Sequence, residues 1–556
     1  MKVRTVWLGA AFAVAIASSA AAQGNLRIGL AEDPDVFDPT VAGSYVGRIV
    51  LAAMCDKLFD IDGNLNIVPQ LALSHETSQD GKTVTVKLRP GVKFHDGEPF
   101  DAEAAKFTLD RHMNMETSKR KAELSQIDKV EVADPLTIRL LLKAPFSPLI
   151  AQLTDRAGMM VSPKAVKEAG DKFVNKPICA GPFRYTDRVI QQRIVLDRFP
   201  DYWDKDRFHI DRITYVPIPD STVRLANLRA GALDLIERIL PTDIPSVRSD
   251  PKLKLLLPTP PIAYTGLTIN LANTDRAKNP LGQNAKVRQA LELTIDRDAI
   301  NKVVFNGDFT PGNQWSAPTN QYYIQKFPIQ PRNVEKAKAL LKEAGVATPI
   351  TLELMVPNQP DVKQVAEVLQ AMGAEAGFDL KIRLTEFTTS LDEAVKGNFQ
   401  IYLIGWSGRV DADQNVINHL GCGAAPFNWG KYCNATAQAG LDEARTVSEP
   451  AKRKAAYEKA LTQIEADKPL IYLYHQHWVF AYSAKLEGYK QPPDGIIRIQ
   501  DLKLARSAAL RWPRTASTFS PVPRRGAPTS RAARQLMSLP RSSAPEASAS
   551  RCDDGP

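Results

Sequence analysis

An alternation of strands and helices in residues 333–405 limits the fold of this chain more than any other feature. The segments 350–356, 378–384 and 400–405 have the composition of strands, and apolar residues at helical spacing in 361–377 predict a helix. A second, short helix is predicted near 391–396. Strands separated by helices form βαβ units with parallel strands, so a layered α/β domain is expected.

The end of the third strand is a candidate ligand site, because such sheets bind ligands at the carboxyl ends of their strands. The chain leaves this strand with an aromatic ring, a hydroxyl, a glycine and several charges, and a solvated turn is the alternative. The candidate residues are Trp406, Ser407, Gly408, Arg409 and Asp411.

Elsewhere the pattern indicates short strands mixed with helices. Residues 82–88 alternate between apolar and polar as a half-buried strand does, and 130–142 is typical of a hairpin. Asp101 and Asn333 are placed to cap the first turns of two helices. With 556 residues, two or three domains are expected rather than one core.

The two ends of the chain differ from the rest. A positive start, an apolar run and small residues predict a cleaved signal peptide at 1–22 and an exported protein, with an uncleaved anchor helix as the alternative. Residues 506–556 are rich in Arg, Ser and Pro, which predicts disorder. These two segments carry eight of the nine net positive charges, so the charge does not indicate nucleic-acid binding.

In an oxidising compartment, four of the five cysteines can form disulfides. Cys422 and Cys433 are close in a glycine-containing stretch and are predicted to pair, which leaves Cys55 with Cys179. The alternative is a metal site that includes His419 and Cys422. No role is predicted for the fifth cysteine.

The sequence contains no nucleophile elbow, phosphate-binding loop or zinc-protease motif. His475 and His477 are two residues apart on a predicted strand and could share a metal, although core histidines are the more common finding. Asp411 and Asp413 could serve acid–base catalysis. We expect neither an enzyme nor a cofactor.

Six segments in order resemble the family 5 extracytoplasmic solute-binding proteins of bacterial importers. The most specific is 88–111, LRPGVKFHDGEPFDAEAAKFTLDR. The others are 35–39 (DVFDP), 55–58 (CDKL), 175–185 (NKPICAGPFRY), 221–234 (STVRLANLRAGALD) and 286–300 (KVRQALELTIDRDAI).

The resemblance implies an α/β fold of the type II periplasmic-binding-protein kind, with two lobes around a hinged cleft and a smaller inserted domain. It places lobe I at 23–56, 178–262 and 478–505, domain II at 57–177 and lobe III at 263–477. It also implies a monomer that delivers a peptide-like or other small polar solute to a membrane permease and its ATPase. The alternatives are a nickel or chelated-metal receptor, which His419, His475 and His477 would serve, and a periplasmic peptide hydrolase.

The sequence departs from dipeptide-binding members of the family in two places. The segment 355–361 (MVPNQPD) lacks the arginine that they use for the carboxylate of the peptide. Where they have an aspartate for the amino terminus of the peptide, this chain has Arg409. We therefore expect Arg409 to meet an anionic group of the ligand, or else to pair with Asp411 or Asp413. Tyr45 and Tyr264 are predicted for the opposite wall.

Overall fold

The computed structural model describes residues 24–505. The predicted signal peptide at 1–22 and the predicted disordered tail at 506–556 lie outside the described residues. Within 24–505, no helix is long and apolar enough to cross a bilayer.

The strand–helix alternation forms the predicted βαβ units. Strand Ile350–Pro357 pairs in parallel with Phe378–Thr385 on one side and with Ile401–Trp406 on the other. Helices Pro360–Ala374 and Phe387–Lys396 connect these strands. The α/β fold class is confirmed.

These three strands form one part of a mixed six-stranded sheet in the described range. Its central strand, Tyr264–Ile269, is antiparallel to both neighbours. The order across the sheet is Thr310–Pro311, Leu470–His475, Tyr264–Ile269, Ile401–Trp406, Ile350–Pro357 and Phe378–Thr385.

A second large sheet has seven strands among the described residues. Strand Asn25–Leu30 lies near its centre and pairs in parallel with Arg212–Pro217 and Leu235–Ile236. The order across this sheet is Leu253–Leu256, Phe480–Ser483, Leu235–Ile236, Asn25–Leu30, Arg212–Pro217, Arg193–Arg198 and Phe183–Val189.

A smaller antiparallel sheet contains the predicted hairpin, which is formed by Ile127–Asp134 and Thr137–Leu142. Its other strands are Ala72–Thr77 and Thr83–Leu88. The Asp101 carboxylate accepts a hydrogen bond of 2.9 Å from the backbone N–H of Ala104 and caps helix Ala102–Asn114, as predicted.

The remaining elements of the described range complete these layers. Short strand pairs are Phe59–Ile61 with Ile67–Pro69, and Leu486–Glu487 with Lys503–Leu504. The other helices are Tyr45–Met54, Leu149–Gln152, Pro163–Ala169, Ser221–Arg229, Ile244–Arg248, Pro280–Gln283, Ala285–Leu293, Arg297–Phe305, Val334–Glu343, Ala412–Leu420, Ala435–Thr446 and Pro450–Asp467.

Both predicted cysteine pairs form disulfides. The sulfur atoms of Cys55 and Cys179 are 2.02 Å apart, and those of Cys422 and Cys433 are 2.14 Å apart. The first pair is fully buried in the core next to the seven-stranded sheet. It joins the two chain segments that precede and follow the small sheet. We propose that the seven-stranded sheet belongs to lobe I, the small sheet to domain II and the six-stranded sheet to lobe III, with the boundaries given above.

Candidate ligand-binding cleft

A cleft of about 980 Å³, part of it open to solvent, is lined by residues from both large sheets. The wall next to the seven-stranded sheet includes Glu32, Tyr45, Arg224, Arg238 and Trp478. The wall next to the six-stranded sheet includes Gln359, Asp361, Phe387, Ser407 and Tyr474.

An aromatic stack forms part of the first wall. The rings of Tyr45 and Trp478 are nearly parallel, with centroids 4.2 Å apart. The Tyr45 hydroxyl donates a hydrogen bond of 2.6 Å to the carbonyl of Gly495, and the Arg238 guanidinium lies 5.1 Å from the Tyr45 ring centroid. Tyr45 thus lines the cleft, and ligand contact by it stays a prediction.

An arginine network crosses the same wall. Arg238 forms ion pairs with Glu32 and Glu237. Burial alone would lower the pKa of Arg238, but these two carboxylates outweigh it and raise the pKa. Arg224 donates to backbone carbonyls only, and burial lowers its pKa to about 10. The Gln359 amide donates to the Glu32 carboxylate from the opposite wall, so the two walls touch at this point.

The opposite wall contributes a carboxylate without a protein partner. Asp361 lies at the start of helix Pro360–Ala374, directly after a parallel strand, and it is half-buried. Among the described residues its side chain forms neither an ion pair nor a hydrogen bond. Within the described residues, the cleft is therefore lined by one arginine without a carboxylate partner, Arg224, and on the other wall by one carboxylate without a partner, Asp361.

Trp406 and Tyr264 lie behind the cleft rather than in its lining. The Trp406 indole N–H donates to the side-chain oxygen of Asn415 at 3.1 Å, and the Tyr264 hydroxyl donates to the Asn415 carbonyl at 3.0 Å. His419 packs on both rings. Direct ligand contact by Trp406 and Tyr264 stays a prediction that this packing does not favour.

Gly408 has a structural reason to be glycine. Its φ is +77°, and a Cβ at this position would lie 2.4 Å from the Ile262 carbonyl oxygen. The next residue, Arg409, is not among the residues that line the cleft.

Arg409 is buried and its partner is Asp155, not Asp411 or Asp413. It also donates to Ser407 Oγ at 3.1 Å, and its guanidinium lies 4.5 Å from the Trp406 ring centroid. Burial, together with neighbouring arginines, lowers the pKa of Arg409 to about 10. Ligand contact by Arg409 stays a prediction, and its burial argues against it.

The two carboxylates after Arg409 also have protein partners. Asp411 caps helix Ala412–Leu420 and forms an ion pair with Arg453, with distances of 2.7 and 2.5 Å. Asp413 pairs with Arg445 at 3.0 Å. Of the seven predicted ligand residues, only Tyr45 and Ser407 line the cleft.

The three histidines considered as metal ligands have different surroundings. His475 and His419 are buried and bond to the carbonyls of Ala263 and Phe427, whereas His477 lines the cleft. Burial lowers the pKa of His475 and of His419 to about 4. Within residues 24–505, no group of three or more His, Cys, Asp or Glu is arranged so that it could hold a metal ion.

Sequence reasoning missed Glu32, Arg224, Arg238 and Asp361. Asp361 could have been found, because it follows the carboxyl end of a predicted parallel strand, as Ser407 does. No local signal distinguishes Arg224 or Arg238 from surface arginines.

The model of the bacterial extracellular solute-binding proteins, family 5, matches residues 66–427 of this chain. The chain belongs to this family. A glutathione-binding protein of Pectobacterium atrosepticum is 31% identical over 519 residues, covering 91% of this chain and 99% of the relative.

Solved structures agree with this family membership. The periplasmic binding protein AgaA from A. tumefaciens R10, in complex with agropinic acid, is 26% identical and superposes with a TM-score of 0.80, covering 87% of this chain and 99% of that one. The Helicobacter pylori protein DppA, in complex with the peptide STSA, has the same TM-score and coverage at 24% identity, which shows the fold. This family member is a solute-binding protein with two lobes, a cleft and a smaller domain.

Proposed function

We propose that this protein binds a short zwitterionic peptide of the glutathione class in the cleft and delivers it to an ABC importer. The observation that carries the proposal concerns two charges that line the cleft: among the described residues, Arg224 on one wall has no carboxylate partner, and Asp361 on the other wall has neither an ion pair nor a hydrogen bond. A peptide with free termini presents the complementary charges.

The cleft chemistry suits each part of such a ligand. A guanidinium attracts carboxylates, and the Nε–H of Arg224 has no hydrogen-bond partner among the described residues; Asp361 can accept hydrogen bonds from an ammonium group. The stacked rings of Tyr45 and Trp478 contribute aromatic surface to the lining of the cleft.

Comparison with relatives supports the same ligand class. The matching curated relatives from Pectobacterium, Salmonella and Escherichia are glutathione-binding proteins, at 29–31% identity over about nine-tenths of this chain. We further propose export to the periplasm after cleavage near Ala22, a monomeric state, and docking on an inner-membrane permease driven by its ATPase.

Purified protein is expected to bind reduced glutathione in isothermal titration calorimetry. Because a ligand that binds only the native state stabilises it, glutathione at 100 times its dissociation constant should add about 2.7 kcal/mol to the free energy of unfolding. Free glutamate serves as the control, since it lacks the remainder of the peptide. Absence of both heat and thermal shift would contradict the proposal.

Replacing Asp361 with Asn is expected to weaken glutathione binding by about 10- to 100-fold, because a hydrogen bond to a charged group contributes about 1.5–3 kcal/mol. N-acetylglutathione, whose amine is blocked, should bind wild type and D361N about equally. The control is Glu367→Gln on the same helix, where the side chain is exposed and pairs only with Lys363. An equal loss for both probes would show that Asp361 does not meet the amine.

A further inference from the structure

The hydroxyl of Ser407 has an unusual hydrogen-bond environment for a residue that lines the cleft. Its oxygen accepts one hydrogen bond from Arg48 Nη1 at 3.0 Å and another from Arg409 Nη1 at 3.1 Å. A serine oxygen has two lone pairs and one hydrogen. With both lone pairs engaged, Ser407 can act toward the cleft only as a donor, and among the described residues its hydrogen has no acceptor.

The two arginines are held in place by one carboxylate. Asp155 lies 3.0 Å from Arg48 Nη2 and also forms an ion pair with Arg409 Nε. Burial alone would raise the pKa of Asp155, but Arg409 and Arg48 outweigh it and keep the pKa well below its usual range. Both guanidiniums are therefore oriented toward the Ser407 oxygen by an ionised group outside the cleft lining.

The surroundings of Ser407 carry an excess of positive charge. Arg120 and Arg156 are buried beside the same network, where Arg120 pairs with Glu123 and Arg156 also pairs with Asp155. Four arginines thus stand against two acids. A donor in such a field favours a negatively charged acceptor over a neutral one.

We infer that the Ser407 hydroxyl donates to a carboxylate of the ligand, with Arg48, Asp155 and Arg409 as its positioning residues. The inference rests on the proposed function, because it assigns one end of the peptide to one point of the cleft. It also gives Arg409 a role without ligand contact: this side chain acts on the ligand's anionic group through Ser407.

The test uses calorimetric titration of the full-length mature protein with three probes. These are reduced glutathione and two analogues in which either the glutamyl α-carboxylate or the glycyl carboxylate is converted to a carboxamide. Ser407→Ala is expected to lower glutathione affinity by about 10- to 100-fold, and the affinity of one carboxamide analogue by about fivefold or less. Ser407→Thr retains the hydroxyl and should keep glutathione affinity within about threefold of wild type.

Two further variants separate positioning from general damage. Arg48→Met leaves Asp155 paired with Arg409, so the fold is expected to persist, and it should reduce the preference for the free carboxylate as S407A does. A structural defect would instead weaken all three probes equally. Ser125→Ala is the matched control, because its hydroxyl also accepts from an arginine, Arg445 at 3.4 Å, but lies outside the cleft lining.

Each outcome decides a different point. If wild type binds glutathione and S407A weakens all three probes equally, or none, the donor assignment is overturned while the proposed function stands. If wild type binds none of the probes, the proposed function is overturned and the donor assignment with it. Loss of carboxylate preference in S407A and R48M, with retention in S407T and S125A, supports the inference.

Discussion

Replacing Asp155 with Ala is expected to lower the free energy of unfolding by about 3–5 kcal/mol, because it leaves the three buried guanidiniums of Arg48, Arg156 and Arg409 without their shared counter-charge. Arg48, Asp155 and Arg409 are each no more than 6% exposed. The folded protein therefore shields these charges from bulk solvent, which makes an unpaired cation at this place costly. Chemical unfolding followed by fluorescence and circular dichroism measures the change.

The control for this prediction is an ion pair of similar length on the surface. Glu98 lies 2.9 Å from Lys164, and both side chains are about half exposed. Glu98→Ala should change stability by less than about 1 kcal/mol, since exposed pairs contribute little. If E98A and D155A lower the free energy of unfolding by the same amount, the buried network contributes no more to stability than an exposed ion pair.

A double variant tests whether the cost comes from unpaired charge. Arg409→Ala in the D155A background removes one of the stranded cations, so the double variant should be less destabilised than the sum of the two single variants. Additive losses would indicate that lost packing, and not charge, dominates.

Local features of the fold could be predicted from the sequence because they depend on neighbouring residues. Asn333 and Asp101 cap helices as predicted, through hydrogen bonds that span three residues. The parallel strands of 350–405 followed from periodicity. The antiparallel central strand Tyr264–Ile269 did not, because its partners are distant in the sequence and no local signal fixes strand order.

The candidate site shows the same division. Ser407 could be predicted to line the cleft because it follows a strand end. The partner of Arg409 could not be predicted. Asp155 is distant in the sequence, in the segment that contains the small sheet, whereas two other carboxylates, Asp411 and Asp413, are much closer to Arg409 in the sequence. These two are already neutralised by Arg453 and Arg445 from a later helix pair, which explains why Arg409 pairs elsewhere.

Removal of the Cys55–Cys179 disulfide by a double Ala substitution is expected to destabilise the protein by about 5 kcal/mol in the chain-entropy model. The bond closes a loop with a sequence separation of 124, and the whole small sheet lies inside that loop. Without the bond, positions 55 and 179 can move apart in the unfolded chain, which raises the conformational entropy of the unfolded state. Thermal and chemical unfolding of oxidised variants measures the loss.

The second disulfide serves as the control for this prediction. Cys422 and Cys433 are separated by only 11 positions, so the same model gives about 3 kcal/mol for their removal. Burial acts in the same direction, because Cys55 and Cys179 are fully buried and their truncation also removes core contacts, whereas Cys433 is exposed. The long-loop variant should therefore be the less stable of the two. A short-loop variant that is equally or more destabilised would show that neither loop length nor burial controls the contribution of these bonds.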